Sequence, residues 1–166
     1  MKEIHKLSKK YKFKIIEDAT HALGSTHNGL PVGSCKYSEI AVFSFHPVKI
    51  ATTCEGGIAT TNSKEIQEKL KIFREHGLVR TSSAFEKKKA STFYYEQQML
   101  GYNYRLSDIH ASLGISQLKR VKKFIKKRNL IRRMYEKSFN KLPIKFQKID
   151  KSDYSSHHLV IISVQK

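Results

Sequence analysis

The chain has 166 residues, and its 32 basic and 14 acidic side chains give a formal net charge of +18. That length is enough for one domain with a core, and such a charge is typical of proteins that bind nucleic acid or anionic membranes. Cys35 and Cys54 form no CxxC pair, which argues against a disulfide framework or a zinc module and favours a reducing, cytoplasmic setting. Because no apolar run can span a bilayer, we expect a soluble protein without a membrane partner.

The first predicted elements are short apolar runs. Residues 1–12 have room only for one helix, whereas residues 13–17 and 41–45 are typical of buried strands in a largely parallel sheet. Residues 58–61 follow two glycines and predict a third strand. The sequence therefore favours an α/β arrangement.

A helix is predicted after the third strand. Asn62 is expected to cap it, with Glu65 at the capping-box position, and Gly77 is expected to end it. Residues 78–98, with a lysine run at 87–89, lack periodicity and predict a surface loop or arm.

Helical periodicity dominates the rest of the chain. Ser107 is expected to cap a helix, and the pattern continues to about Leu142. Because one helix of that length is unusual, we expect a break near 118–121 that divides it into two. Residues 158–164 predict a final strand.

The densest block of charge lies on this helical stretch. Residues 119–133 hold nine basic side chains and no acidic one, but apolar residues recur among them at helical spacing. Of the 32 basic residues 25 are Lys, whereas proteins that read bases rely on the planar fork of Arg. We therefore favour a solvated helix face over a nucleic-acid contact surface.

Reactive side chains follow the first two predicted strands. Asp18 ends the first strand, at the edge where open α/β sheets bind ligands, and Lys49 follows the second among apolar residues. Taken singly, such an Asp more often caps a turn and such a Lys more often reaches solvent. Together with His21, Ser44 and the turn at 55–57, they have the order and spacing of a pyridoxal phosphate (PLP) site.

The residue types suit that cofactor. A carboxylate beside the pyridine nitrogen keeps it protonated, so that the ring can accept electrons. A lysine amine can bond to the cofactor and move protons, and a hydroxyl at a strand end can hold a phosphate oxygen.

Three motifs in order extend this pattern along the chain. They are EDATHALGS at residues 17–25, FSFHPVK with CEGG within residues 43–57, and GYNYRLSDIHASLG at residues 101–114. With them the chain resembles the DegT/StrS family of sugar-nucleotide aminotransferases, from about Ile15 through at least Tyr135. The resemblance implies the α/β fold of type I PLP-dependent transferases, similar to aspartate aminotransferase.

The resemblance also implies a role for each site residue. Lys49 is implied to be the Schiff-base lysine and Asp18 the partner of the pyridine nitrogen. His21 is implied to neighbour the ring hydroxyl, and Ser44 to be a phosphate ligand. Asn103 is implied to reach the cofactor phosphate of the other subunit, which requires a homodimer.

Within the family, the wording SFHPVK followed by Thr52-Thr53 is most similar to members that act in pseudaminic acid synthesis. The resemblance implies a UDP-linked 4-keto-6-deoxy-N-acetylhexosamine as substrate, aminated at C4, and glutamate as amino donor. Lys49 argues against a related branch that has His at this position and dehydrates sugars.

The family pattern also predicts how the chain is divided. Residues 1–120 are expected to form the C-terminal part of the large PLP-binding domain, and residues 121–166 the beginning of the small domain. Because the family has a substantial segment before the Asp strand, we expect this chain to correspond to the middle of a longer enzyme. The alternative is a catalytically inactive remnant whose basic surface binds anions.

Overall fold

The computed structural model describes residues 1–87 and 91–165. It contains three α-helices, α1 Lys2–Tyr11, α2 Lys64–Arg74 and α3 Asp108–Ser138. Its strands are β1 Ile16–Asp18, β2 Thr26–His27, β3 Leu30–Pro31, β4 Ile40–Ser44, β5 Gly57–Thr60, β6 Leu78–Val79, β7 Glu96–Gln97, β8 Ile144–Phe146 and β9 Ile162–Val164. The chain divides into two units, Met1–Asn62 with Asp108–Lys166, and Ser63–Ser107.

The first unit is built on a three-stranded sheet in the order β1-β4-β5. Strands β1 and β4 are parallel, with Asp18 opposite Val42, which confirms the predicted parallel pair. Strand β5 runs antiparallel to β4, with Ser44 opposite Gly57, so the expectation of a largely parallel sheet is wrong for this strand. The chain turns back through residues 45–56 and has no crossover helix there, and a direct return produces an antiparallel neighbour.

Strand β1 begins at Ile16, three residues later than expected, although α1 ends at Tyr11. Lys12 then takes a left-handed conformation, with φ of 56°, and Phe13 is exposed. Behind the sheet edge, Ala19, Cys35, Ala41 and Phe43 form the hydrophobic core, with Ala22, Leu23 and Val32 packed against it. This core supports the carboxyl ends of β1 and β4.

Helix α3 is one continuous helix of 31 residues, so the predicted break near 118–121 is wrong. Its buried residues Gly114, Ile125 and Arg132 recur after whole helical turns and therefore lie on one face. A single straight helix keeps this stripe in contact with the unit, while the lysines around Ile125 are exposed. The predicted domain boundary between residues 120 and 121 falls inside α3 and stays a prediction.

The last part of the first unit contains a hairpin of β8 and β9, with Lys145 opposite Ser163. The predicted strand at 158–164 begins only at Ile162. The backbone before Ile162 is held by α3 instead: the Arg128 guanidinium donates to the carbonyl oxygens of His157 and His158. Strand β8 was not predicted from the sequence.

Helix α2 opens the second unit. Its N-cap is Ser63, whose Oγ accepts a hydrogen bond from the Ile66 amide at 3.3 Å, so the prediction that Asn62 is the cap is wrong. The Asn62 amide instead donates to the Ser34 carbonyl oxygen at 2.8 Å. The helix ends at Arg74, and Gly77, which was expected to end it, follows three residues later with a left-handed φ of +74°.

The rest of the second unit is mostly irregular, as predicted for residues 78–98. Strands β6 and β7 form a two-residue antiparallel ladder, and Ser82–Ala84 form a single 3₁₀ turn. Lys88 and Lys89 of the predicted lysine run lie outside the described residues. Across residues 1–87 and 91–165, no helix combines the length and the apolar composition needed to cross a membrane.

Candidate functional site

The candidate site lies where β1 and β4 end side by side. Asp18 is the last residue of β1, and its ladder partner Val42 is followed two residues later by Ser44, the last residue of β4. Because the two strands are parallel, both side chains lie at the same carboxyl edge of the sheet. Open α/β sheets bind ligands at this edge.

Asp18 is an exposed carboxylate held by the turn that follows it. Its Oδ1 accepts a hydrogen bond from the Thr20 amide at 3.1 Å. Hydrogen bonds from Thr20 lower the pKa of Asp18 below its usual value, and the positive charges of His21 and Lys49 lower it further. Asp18 is therefore ionised at neutral pH, and the structure brings it within electrostatic range of His21 and Lys49.

Lys49 projects from a loop whose backbone is tightly held. Its own amide donates to the His46 carbonyl oxygen at 2.9 Å, and the Thr53 amide donates to the Phe45 carbonyl oxygen at 2.9 Å. The next residue, Ile50, is buried, whereas Lys49 is half-buried. These contacts anchor the base of the lysine side chain and leave its amine available at the sheet edge.

Ser44 lies at the entrance to the same loop. Its Oγ accepts a hydrogen bond from the His46 amide at 3.3 Å, and its side chain is half-buried. The hydroxyl hydrogen remains available to donate to a ligand oxygen.

Helix α3 supports the lysine loop from another side. Gly114 is buried on α3, and a Cβ at this position would come within 2.7 Å of Cγ2 of Thr53. Thr53 itself is 1% exposed, and its Oγ1 donates to the Glu55 carbonyl oxygen at 2.8 Å. The missing side chain at Gly114 thus allows the helix to pack directly on the loop that carries Lys49.

His158 contacts the candidate site, whereas the sequence predicted only the start of a strand at this residue. The rings of His21 and His158 have centroids 4.3 Å apart. Burial lowers the pKa of His158, and the charges of His21, Lys49 and Arg128 lower it further. The only signal in the sequence was a pair of histidines directly before an apolar run.

Asn103, the remaining predicted site residue, belongs to the second unit. Its backbone forms an antiparallel bridge with Glu75. The structure thus brings Asp18, His21, Ser44 and Lys49 together in the first unit but does not include Asn103 in this cluster. The role of Asn103 at a cofactor of another subunit stays a prediction.

The clustered groups fit PLP chemically. The carboxylate of Asp18 is exposed and kept ionised, as a partner for a protonated pyridine nitrogen must be. Lys49 presents a primary amine at the same edge, and the Ser44 hydroxyl is a suitable donor to a phosphate oxygen. The arrangement therefore combines a nucleophile, a charge partner and a phosphate ligand.

Comparison with curated proteins identifies close relatives. The chain is 44% identical over 161 residues to the UDP-4-amino-4,6-dideoxy-N-acetyl-beta-L-altrosamine transaminase of Campylobacter jejuni subsp. jejuni serotype O:23/36 (strain 81-176), covering 96% of this chain and 40% of the relative. It is 36% identical to the transaminase of the same name from Helicobacter pylori, again over 96% of this chain and 40% of the relative. The chain thus spans about two fifths of the length of these relatives.

Solved structures give the same result. Helicobacter pylori PseC, an aminotransferase involved in the biosynthesis of pseudoaminic acid, matches 99% of this chain with a TM-score of 0.86 and 36% identity, over 42% of its own length. The PLP form of the sugar aminotransferase Spr1654 from Streptococcus pneumoniae matches 96% of this chain with a TM-score of 0.80 and 31% identity, over 39% of its length. These matches confirm the predicted α/β type I fold.

A match to a family model shows the family to which the chain belongs. The model of the DegT/DnrJ/EryC1/StrS aminotransferase family matches residues 1–166, and it confirms the resemblance predicted from the three motifs. The chain belongs to the DegT/DnrJ/EryC1/StrS aminotransferase family.

Proposed function

We propose that this chain carries the lysine-bearing half of the active site of a PLP-dependent nucleotide-sugar aminotransferase. The observation that carries the proposal is the meeting of Asp18, His21 and Lys49 at one sheet edge, where the charges of His21 and Lys49 act on the Asp18 carboxylate. Family membership supports the reaction class, and the grouping of these side chains supports the proposed residues.

PLP, when bound, supplies an electron sink for the carbon next to a substrate amino group. The Lys49 amine would bond covalently to the cofactor and would then carry a proton between the substrate α-carbon and the cofactor, a role that its anchored backbone and half-buried side chain favour. The Asp18 carboxylate holds the proton of the pyridine nitrogen, and its lowered pKa keeps it charged at neutral pH.

Two further residues complete the proposed cofactor site. The Ser44 hydroxyl donates to a phosphate oxygen from the end of β4. The His21 imidazole, in the turn that follows Asp18, would neighbour the ring hydroxyl. Both roles agree with the positions of the side chains at the carboxyl edge of the sheet.

The names of the relatives support a substrate. We propose that the amino group passes from glutamate to the 4-keto position of a UDP-linked 6-deoxy-N-acetylhexosamine, a precursor of pseudaminic acid. Such biosynthetic chemistry fits the cytoplasm, which we propose as the compartment.

We also propose a homodimer in which Asn103 reaches the cofactor phosphate of the other subunit. Around Asn103, the second unit exposes a patch of large side chains, namely Leu100, Tyr102 and Tyr104, with Leu100 88% exposed. The Tyr102 and Tyr104 rings stack with centroids 4.8 Å apart. Exposed apolar patches of this kind are typical of protein interfaces.

Absorbance spectroscopy tests the proposal. Addition of PLP to the purified chain is expected to produce a new visible or near-ultraviolet band, and glutamate is expected to change that band. The Lys49→Ala variant is expected to lose the band, whereas Lys122→Ala, which removes an exposed lysine on α3, is expected to keep it. A band of equal strength in the Lys49→Ala variant contradicts the proposal.

A further inference from the structure

The ring of His158 packs on the ring of His21 at the edge of the sheet. The centroids are 4.3 Å apart, and the ring planes are inclined by 57°. The His21 side chain is otherwise exposed, and within residues 1–87 and 91–165 its ring makes no hydrogen bond. Packing against His158 is therefore the contact that restrains the orientation of His21.

The backbone around His158 is fixed on both sides. Arg128 of α3 donates to the His158 carbonyl oxygen at 3.1 Å. The Ser156 amide donates to Oγ of Ser25 at 3.0 Å, and Ser156 is completely buried. Because Ser25 lies in the segment between β1 and β2 that also carries His21, these bonds hold both histidines in one local frame.

The ring nitrogens of His158 have no packing role. Its Nδ1 is buried and has no hydrogen-bond partner in the described part of the chain. A buried polar atom without a partner is unfavourable, so Phe or Leu would fill the same space with greater stability. A histidine at this position is therefore better explained by its ability to change charge.

The surroundings of His158 disfavour its charged form. Three positively charged or titratable groups face it from three segments, His21 from the turn after β1, Lys49 from the loop after β4, and Arg128 from α3. Together with burial they lower the pKa of His158, so the ring is neutral at neutral pH. The Asp18 carboxylate at this edge interacts electrostatically with His21 and Lys49.

We propose that His158 is a positioning residue of this site, which in its neutral form holds the His21 ring against the sheet edge and on protonation releases it. Protonation would place a positive charge against His21, Lys49 and Arg128, and repulsion would separate the two rings. The proposal rests on the proposed function, because His21 is the residue assigned beside the cofactor ring.

The first test needs no cofactor. Histidine ring resonances of the 166-residue chain are followed by NMR across pH, with His158 assigned through its absence in His158→Phe. The His158 midpoint is expected to lie below the ordinary value of 6.5 and to rise in His21→Asn, because one of the groups that oppose its charge is removed. A midpoint that does not respond to His21→Asn overturns the coupling of the two rings.

The second test measures the affinity for PLP across pH. His158→Ala is expected to weaken binding about tenfold at pH 8, because His21 loses its support. The wild type is expected to lose affinity on acidification. His158→Phe, which keeps a flat ring but cannot be protonated, is expected to restore binding at pH 8 and to reduce that loss. Leu159→Ala, which shortens an exposed side chain in the same loop, is the control.

The outcomes separate this inference from the proposed function. Wild-type affinity for PLP in His158→Ala overturns the positioning role. So does a loss of affinity at acid pH that is as large in His158→Phe as in the wild type. Circular dichroism identifies a variant that has lost its fold, and in that case His158→Phe and the NMR titration decide. If the wild type forms no Lys49-dependent complex with PLP, the proposed function fails, whereas the ring coupling is still decided by NMR.

Discussion

Asp18 combines two properties at the scale of a single residue, exposure to solvent and a strong preference for the ionised form. The Thr20 amide stabilises the carboxylate, and the charges of His21 and Lys49 add to this. Its pKa lies below the usual value of 3.8, so its charge persists at any pH at which the protein is expected to work. The partner of a pyridine nitrogen has to meet this condition.

Substitution of Asp18 tests that charge without removing the turn. The Oδ1 of Asn in Asp18→Asn can still accept the hydrogen bond of the Thr20 amide, but the negative charge is lost. We expect PLP to bind about tenfold more weakly, since the charge-assisted hydrogen bond between the carboxylate and the pyridine nitrogen is lost. Fluorescence titration with PLP measures the change, and Asp150→Asn, an exposed carboxylate in the first unit, is the control. Unchanged affinity in Asp18→Asn would remove Asp18 from the site.

Glu96 organises the irregular part of the second unit. Its carboxylate accepts hydrogen bonds from the amides of Glu86 at 2.8 Å and Lys87 at 3.0 Å, from the Tyr94 hydroxyl at 3.1 Å and from the Gln98 side chain at 2.9 Å. These bonds, the Glu86 amide first, lower the pKa of Glu96 from 4.5 to about 2. The carboxylate therefore links two segments that also pair through the two-residue ladder of β6 and β7.

The direction of this pKa shift predicts how the loop responds to acid. Because the pKa of Glu96 is lowered on folding, its contribution to stability is present above 4.5 and is lost as the pH falls toward about 2. Glu96→Gln is expected to speed hydrogen exchange at the amides of Glu86 and Lys87 at neutral pH. Glu68→Gln, which removes an exposed carboxylate on α2, serves as the control, and equal protection in both variants would refute the role of Glu96.

Most of the candidate site was predictable from sequence because each of its residues lies within a few positions of a strand end. Asp18 and His21 share one turn, and Ser44 and Lys49 share one loop, so the strand pattern and the motif are enough to place them. His158 was not predictable in this way. Its contact with His21 joins distant parts of the chain, and it lies on an irregular backbone for which no periodicity exists.

Among whole elements, too, some were predictable from local sequence and others were not. The parallel pairing of β1 and β4 was predicted from two short apolar runs, because buried parallel strands are apolar throughout. The antiparallel direction of β5 and the continuity of α3 were not predicted. The direction of β5 depends on the path of residues 45–56, and α3 keeps its length because Gly114, Ile125 and Arg132 all lie on its buried face.

The packing of α3 on the lysine loop is sensitive to one methyl group. Gly114→Ala places a Cβ 2.7 Å from the Cγ2 of Thr53, which is buried and cannot move freely. Although Ala favours a helix by about 1 kcal/mol over Gly, overpacking of a core costs roughly 1–3 kcal/mol. We therefore expect Gly114→Ala to lower the free energy of unfolding, as measured by urea denaturation.

A second substitution identifies the clash as the cause. Thr53→Ser removes Cγ2 but keeps the hydroxyl that donates to the Glu55 carbonyl oxygen. In the Thr53→Ser background, Gly114→Ala is expected to cost less stability than it does alone. Equal costs in both backgrounds, or a more stable Gly114→Ala variant, would contradict direct packing of α3 on this loop.

At the scale of the whole molecule, the net charge of +18 does not determine the function. The family match covers the entire chain, and much of the charge consists of exposed lysines such as those on α3. The positive surface is compatible with the proposed substrate, because a nucleotide sugar is an anion and is attracted by such a field. The chain also spans only about 40% of the length of the relatives that it matches, so this surface belongs to two fifths of such an enzyme.

The central claim is that one lysine among 25 bonds to PLP. The most direct measurement is reduction of the PLP-loaded chain with borohydride, followed by proteolysis and mass spectrometry of the labelled peptides. The account predicts one dominant label, on Lys49, and loss of that label in Lys49→Ala but not in Lys122→Ala. Label spread over exposed lysines, at the same level in the wild type and in Lys49→Ala, would contradict it.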